Sequence, residues 1–261
     1  MNRLLTRPKA ILFDLFGTLV QEFDQAAIAR LMDELHQRVS QDPRLPQLAS
    51  ADPGQFALAM AHQYDSRYRA AAAGHCESPN VEHAIADLLM SAAPFMEPTP
   101  EAIAAFIEHY AACEQLIPYE ETLEVLDTCM AWGLPTGLLS NVFFPGWIYR
   151  AQMHSLKLAT RLDQMFFSSD MPYMKPHPDI FRIAAVCLGH PPEECLMVGD
   201  RMDLDIAGAR AAGMPAVLIA HEPPLDAPDL PVIARLQGLL SLIEQAPEYT
   251  PSEADSSTSA P

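Results

Sequence analysis

Positive charge is scarce in this chain. Lys and Arg number 16 against 34 Asp and Glu in 261 residues, a formal charge of −18. A surface that acidic repels phosphate backbones and anionic lipid, which argues against nucleic acid and membrane surfaces as partners. An anionic substrate must then be captured by a few local cations or by a metal. Long hydrophobic runs are missing, and no apolar stretch approaches the ~18–20 residues of a membrane span. The N-terminal stretch MNRLLTRPKAILFDLF meets an acid at Asp14 before a signal-peptide apolar region is complete, so no export signal is expected. Cysteine is sparse and odd in number: Cys76, Cys113, Cys129, Cys187 and Cys195 lie far apart. That scatter predicts reduced thiols in a cytoplasm rather than a disulfide framework or a zinc site. Internal repeats are absent, and the sequence sets no oligomeric state.

What is present is an ordinary globular composition, 49% hydrophobic and 19% charged. Residues 9–15 (KAILFDL) form a short apolar run stopped by Gly17-Thr18, the pattern of a buried parallel strand. Between about Asp24 and Gln115 the texture becomes Ala-rich, with apolar residues three and four apart, and predicts four amphipathic helices. Breaks at Asp42-Pro43, Asp52-Pro53-Gly54, Ser78-Pro79 and Pro98-Thr99-Pro100 separate them. After Pro118, strands at 135–140, 164–168, 195–198 and 216–220 alternate with helices at 120–132, 146–155, 179–188 and 203–212. The expected fold class is therefore α/β, a doubly wound parallel sheet with a helical insertion after the first strand. The expected division is a core of residues 1–20 and 117–247, a helical cap of 21–116 and a disordered tail of 248–261.

In an open parallel sheet, ligands bind beyond the carboxyl ends of the strands. The first strand ends at Asp14, the second at Ser140-Asn141 and a later one at Gly199-Asp200, while Lys175 lies in the loop after the 164–168 strand. Two carboxylates, a hydroxyl and a lysine on one crevice can bind a divalent cation and a phosphoryl group.

The segments DLFGTL (14–19), LLSN (138–141), MKPHPDIF (174–181) and VGDRMDLDIAGARAAGM (198–214) resemble, in order, the four motifs of the haloacid dehalogenase superfamily. The resemblance covers roughly residues 9–220, and the helical insertion matches the position of that superfamily's α-helical cap. It implies a Rossmann-like hydrolase in which Asp14 is the nucleophile and forms a covalent intermediate. Thr18 would orient Asp14, and Ser140 and Lys175 would hold the transferring phosphoryl oxygens, with Asn141 beside the substrate or orienting the loop. Mg²⁺ would be held by Asp14, the Phe16 backbone carbonyl and Asp200, with Asp205 as a further ligand or just behind one. The implied substrate is a small anionic molecule.

One position departs from the phosphatase pattern. Most phosphatases of the superfamily carry a second Asp two residues after the nucleophile, as general acid and base; here it is Phe16, which transfers no proton. The haloacid dehalogenases carry an aromatic residue there, because halide leaves without a proton, yet their fourth motif usually lacks the metal-binding Gly-Asp found at Gly199-Asp200. Three readings stay open: a Mg²⁺-dependent phosphohydrolase acting on a small phosphorylated metabolite through an aspartyl-phosphate, a 2-haloacid dehalogenase acting through an aspartyl ester, and a catalytically weak relative that binds a phospho-ligand or a protein.

Other polar residues have plainer readings. Asp203 is a helix N-cap or first-turn acid, Arg201 a partner for a neighbouring carboxylate, and His177, between two prolines, a turn residue. Arg30, Arg38, Arg67 and Arg69 form a solvated helix face, from which one could reach an anionic substrate. Lys175, as a loop lysine, is expected to cost turnover rather than stability when removed.

Overall fold

The apolar run Ala10–Phe13 forms β1, buried along its whole length, and the strands that flank it are buried in the same way. The computed structural model describes residues 4, 6–78, 80–93, 97–220 and 229–247, and the expected tail 248–261 lies outside the described residues. The other strands are β2 (Thr136–Ser140), β3 (Gln164–Phe167), β4 (Cys195–Gly199), β5 (Ala216–Ile219) and β6 (Val232–Ile233). They make one sheet in the order β3-β2-β1-β4-β5-β6, with every pairing parallel. The α/β reading therefore holds. β6 went unforeseen because two residues, pairing Val232 with Leu218 and Ile233 with Ile219, carry no periodicity to read.

Alternation along each strand feeds two cores. Ile11, Phe13, Leu138, Val198 and Val217 face one side, whereas Ala10, Leu12, Leu139, Met197 and Leu218 face the other. The first side is covered by α5 (Thr122–Ala131), α6 (Gly146–Ser155) and α9 (Gly238–Glu244), the last also unforeseen; the second is covered by α7 (Pro178–Cys187) and α8 (Ala207–Ala211).

Four helices lie between β1 and α5: α1 (Gln25–Val39), α2 (Pro53–Ala72), α3 (Val81–Ala92) and α4 (Pro100–Cys113). Each starts where a short polar side chain satisfies a free amide of its first turn. Asp24 accepts from Ala27 N, Asp52 from Gln55 N, Asn80 from His83 N and Thr99 from Ala102 N. Their apolar faces join the core on the first side of the sheet. Tyr64 stacks on Phe143 at 5.2 Å and Tyr110 stacks on Phe144, both in the loop after β2. Met174 N donates to Cys76 O at 2.8 Å and Ser78 N to Pro172 O at 3.0 Å, which ties the insertion to the loop after β3. Among the described residues, no helix is long and apolar enough to cross a membrane.

Candidate active site

The carboxyl ends of β1, β2 and β4 and the loop after β3 bring Asp14, Ser140, Asn141, Lys175, Asp200 and Asp205 to one crevice, together with Phe16, Glu22, Arg201 and Leu204. Asp14 is fixed by extending the sheet ladder, its amide donating to Val198 O at 2.9 Å. The chain then reverses at once: Leu15 O accepts from the amides of Thr18, Leu19 and Val20 at 3.3, 2.8 and 2.9 Å. Gly17 makes that turn at φ +73°, and a Cβ there would stand 2.6 Å from Asp200 Oδ2. Only glycine allows both the backbone angle and the approach of Asp200.

Lys175 is at the centre. Its Nζ lies 2.7 Å from Asp14 Oδ1 and 2.6 Å from Asp205 Oδ1, and its side chain is 2% exposed. Burial, the largest influence, works against the ammonium charge, but the two carboxylates outweigh it and hold the pKa above that of an ordinary lysine. The expectation of a loop lysine with little bearing on stability is therefore corrected. The Lys175 charge is buried and compensates two buried acids.

Asp205 is fully buried, with Oδ1 on Lys175 and Oδ2 accepting from Arg201 N at 3.0 Å. It gets there through a π-helical turn over Met202–Ile206, in which the amides of both Asp205 and Ile206 reach Arg201 O. The helix expected over 203–212 is thus regular only over Ala207–Ala211. The widened turn points Asp205 back into the strand ends. Gly199 permits this, since a Cβ there would collide with the Asp205 carboxylate.

Asp200 differs from the other two acids in having an unsatisfied atom: its Oδ1 is buried with no hydrogen-bond partner. Burial first, then the charges of Asp14, Asp205 and Glu22, push its pKa up to about 7. Burial likewise raises Asp205, and Lys175 opposes that rise. Carboxylate oxygens of Asp14, Asp200 and Asp205 lie within 4.8 Å of one another. The Phe16 carbonyl accepts no hydrogen bond from a described residue. An orphaned carboxylate oxygen, a free carbonyl and a nearby second acid are the hard oxygen donors that suit Mg²⁺. Asp205, with both oxygens engaged by protein donors, suits the layer behind the ion better than direct contact.

Four carboxylates and two cations line the crevice, whose volume is about 50 Å³. That space suits a few waters or a phosphoryl-sized group, and a dianion needs a further cation to enter. A larger cavity of about 570 Å³ borders Met174 and His177 on either side of Lys175, but none of the acids above lines it. Size therefore does not locate the chemistry.

The remaining expected residues divide. Ser140 lines the crevice, 1% exposed, and its hydroxyl bonds to no described residue. Asn141 is engaged with the backbone of Lys175 through both its amide atoms, the loop-orienting role. Thr18 is corrected: its buried hydroxyl makes no hydrogen bond to Asp14 or to any described residue, and it is Lys175 that holds Asp14. Phe16 leans on Phe23 at 5.9 Å and meets Tyr149 edge-on at 6.3 Å, making an aromatic wall. Arg201 forms a two-pronged pair with Asp203, which is an acid of the first turn of the Met202–Ile206 segment and not its cap. His177 caps α7 through Asp179 N and stacks on Tyr173 at 3.9 Å. Arg38 and Arg69 pair with Glu34 and Asp65 on their own helices. The Arg67 side chain lies outside the described residues. Sequence reasoning missed Glu22, which lines the crevice from the stretch leading into α1 and belongs to none of the four motifs.

A family model for haloacid dehalogenase-like hydrolases matches residues 8–213. The chain belongs to this family. Among relatives of this hydrolase, a glyceraldehyde 3-phosphate phosphatase from Methanopyrus kandleri is 33% identical over 128 residues, 47% of this chain and 53% of that protein. A phosphoserine phosphatase from Thermus thermophilus is 35% identical over 118 residues, 44% of this chain and 47% of that protein. The matches thus span about half the length of these relatives. In structure, the hydrolase is similar to a 2-haloacid dehalogenase from Pseudomonas syringae, with a TM-score of 0.67 and 21% identity over 91% of this chain and 99% of that one. That likeness establishes the fold and not the reaction.

Proposed function

We propose that this hydrolase is a Mg²⁺-dependent phosphohydrolase that cleaves a small phosphorylated metabolite through an aspartyl-phosphate on Asp14, with α1–α4 as a cap over the site. The observation that carries this reading is the buried, unpartnered Asp200 oxygen beside Asp14. A crevice with more carboxylates than cations would repel both a phosphate ester and a haloacid unless an ion offsets it, and a metal-free dehalogenase has no use for such an acid cluster. The names of the two phosphatase relatives point the same way. The five cysteines, all free, support a reducing compartment such as a cytoplasm.

On this reading Asp14 attacks phosphorus through Oδ2, since Oδ1 is held by Lys175. An ammonium has three donors; two are spent on Asp14 and Asp205, and the third is left for a phosphoryl oxygen. Ser140 offers its hydroxyl to another. Mg²⁺ held by Asp14, the Phe16 carbonyl and Asp200 would neutralise charge on the transferring group. Phe16 supports a second reading, 2-haloacid hydrolysis through an aspartyl ester, because it leaves the site without the proton donor that halide expulsion does not need.

The deciding measurement is a hydrolysis screen over phosphate esters and 2-chloroacids, with Mg²⁺ and with chelator. Phosphate release that needs Mg²⁺ is expected, and Asp200→Asn should weaken calorimetric Mg²⁺ affinity and turnover together. Chelator-insensitive halide release would overturn the reading.

A further inference from the structure

We propose that Glu22 is the proton donor and acceptor of this site, taking over the task that Phe16 cannot perform. The inference rests on the phosphohydrolase reading. A simple alkoxide is a poor leaving group, so the ester oxygen needs a proton as it departs and the hydrolytic water must lose one as it attacks.

The crevice leaves few groups able to move that proton. Asp14 is the nucleophile, and Lys175 is held charged between two acids. Asp205 is fully buried with both oxygens engaged. The Asn141 amide is spent on the Lys175 backbone, the Ser140 hydroxyl is too weak an acid and is assigned to a phosphoryl oxygen, Arg201 keeps its charge at every working pH, and Phe16 and Leu204 are hydrocarbon. Asp200 is the acid assigned to the metal. Glu22 remains. It lines the same crevice, is exposed, and makes no hydrogen bond or ion pair with a described residue.

Its placement is not that of a loose surface acid. Gln21 N donates to Ile117 O at 2.8 Å, where the outgoing and returning segments of the insertion meet, and Asp24 caps α1 two residues later. The backbone at Glu22 is therefore held from both sides where the chain passes from the sheet to the helices. Glu22 lines the crevice together with Asp14, Phe16 and Asp200, and burial followed by its charge raises the pKa of the neighbouring Tyr119 phenol.

The steps balance. Asp14 Oδ2 bonds to phosphorus as the ester P–O bond breaks, and the departing oxygen takes the proton of the Glu22 carboxylic acid. The Glu22 carboxylate then takes a proton from water as the water oxygen bonds to phosphorus. The P–O bond to Asp14 breaks, its electron pair returns to that carboxylate, and Glu22 is again protonated.

The test is single-turnover cleavage of a matched aryl and alkyl phosphate at saturating Mg²⁺ by wild type, Glu22→Gln, Glu22→Asp and Tyr119→Phe. Glu22→Gln should slow the alkyl ester by roughly 10²–10⁴-fold and the aryl ester far less, because phenolate leaves without a proton. Glu22→Asp should restore part of the loss, and at saturating Mg²⁺, with occupancy checked by calorimetry, the loss in Glu22→Gln should persist. Equal responses of the two esters, a loss that follows weakened Mg²⁺ binding, or a selective loss in Tyr119→Phe instead would overturn the role of Glu22 while leaving the phosphohydrolase standing. If folded wild type cleaves neither ester with Mg²⁺, the phosphohydrolase reading and the role of Glu22 fall together.

Discussion

Asn141 grips the peptide of Lys175 at both ends: its Nδ2 donates to the Lys175 carbonyl at 2.9 Å, and its Oδ1 accepts from the Lys175 amide at 2.8 Å. The end of β2 thereby sets where the lysine loop sits, and through it the position of Asp14. Asn141→Ala removes both bonds, each worth about 0.5–1.5 kcal/mol. Turnover should fall further than that, up to roughly 10²-fold, because a displacement of about 1 Å at the reacting groups is enough. Stopped-flow turnover beside urea unfolding separates the two, and a loss of stability without a loss of turnover would count against positioning.

Lys175 should matter for folding as well as for chemistry. Lys175→Met leaves Asp14 and Asp205 buried without their shared cation, and breaking a buried pair costs about 3–5 kcal/mol. The cost should be largest at pH 8 and shrink toward pH 5, because burial raises the Asp205 pKa and the loss of Lys175 removes what opposes that rise. Urea unfolding at the two pH values checks this. A variant as stable as wild type at pH 8 would return Lys175 to the solvated loop.

Metal-free protein should lose stability as pH rises. Burial and the neighbouring acids push Asp200 up to about 7 from an ordinary 3.8, and burial pushes Glu114, where the chain leaves α4, up to about 8 from 4.5. Both bind a proton more tightly folded than unfolded, so their contribution is greatest below pH 4 and declines through pH 8. Mg²⁺ should restore the part due to Asp200 and leave the part due to Glu114. Glu114→Gln should raise Tm at pH 8.5 relative to wild type and change it little at pH 4. Thermal melts with chelator and with Mg²⁺ across pH 4–9 make the comparison, and a Tm that rises with pH in chelator would refute it.

Phe16→Asp should supply a second acid beside the nucleophile. Alkyl phosphates should gain by up to ~10²–10⁴-fold and aryl phosphates less. The gain is offset because the substitution removes ring contacts with Phe23 and Tyr149 and adds charge to an already anionic crevice. In Glu22→Gln the same substitution should recover alkyl-ester cleavage. Single-turnover rates of the matched esters on the single and double variants measure this, and an equal gain for both esters would argue against a missing proton donor.

The sequence by itself determined the frame. Buried strands end in Asp14, Ser140 and Asp200 because apolar runs stop where Gly and polar residues begin, and that boundary is local. The breaks at Asp52-Pro53-Gly54, Ser78-Pro79 and Pro98-Thr99-Pro100 marked where α2, α3 and α4 begin for the same reason, since helix-breaking residues act within a few positions. Tertiary structure decided the rest. That Lys175 is buried between two acids follows from contacts spanning 161 and 30 residues, which no local pattern encodes. The π-helical turn that sends Asp205 inward exists only because Gly199 leaves room for a carboxylate. Thr18 could be assigned a partner from motif order, yet its buried hydroxyl bonds to no described residue and it is Lys175 that holds Asp14. Glu22 lies outside every motif and reaches the crevice only because the two passages between sheet and insertion pair at Gln21 and Ile117, a long-range bond that composition and spacing do not report.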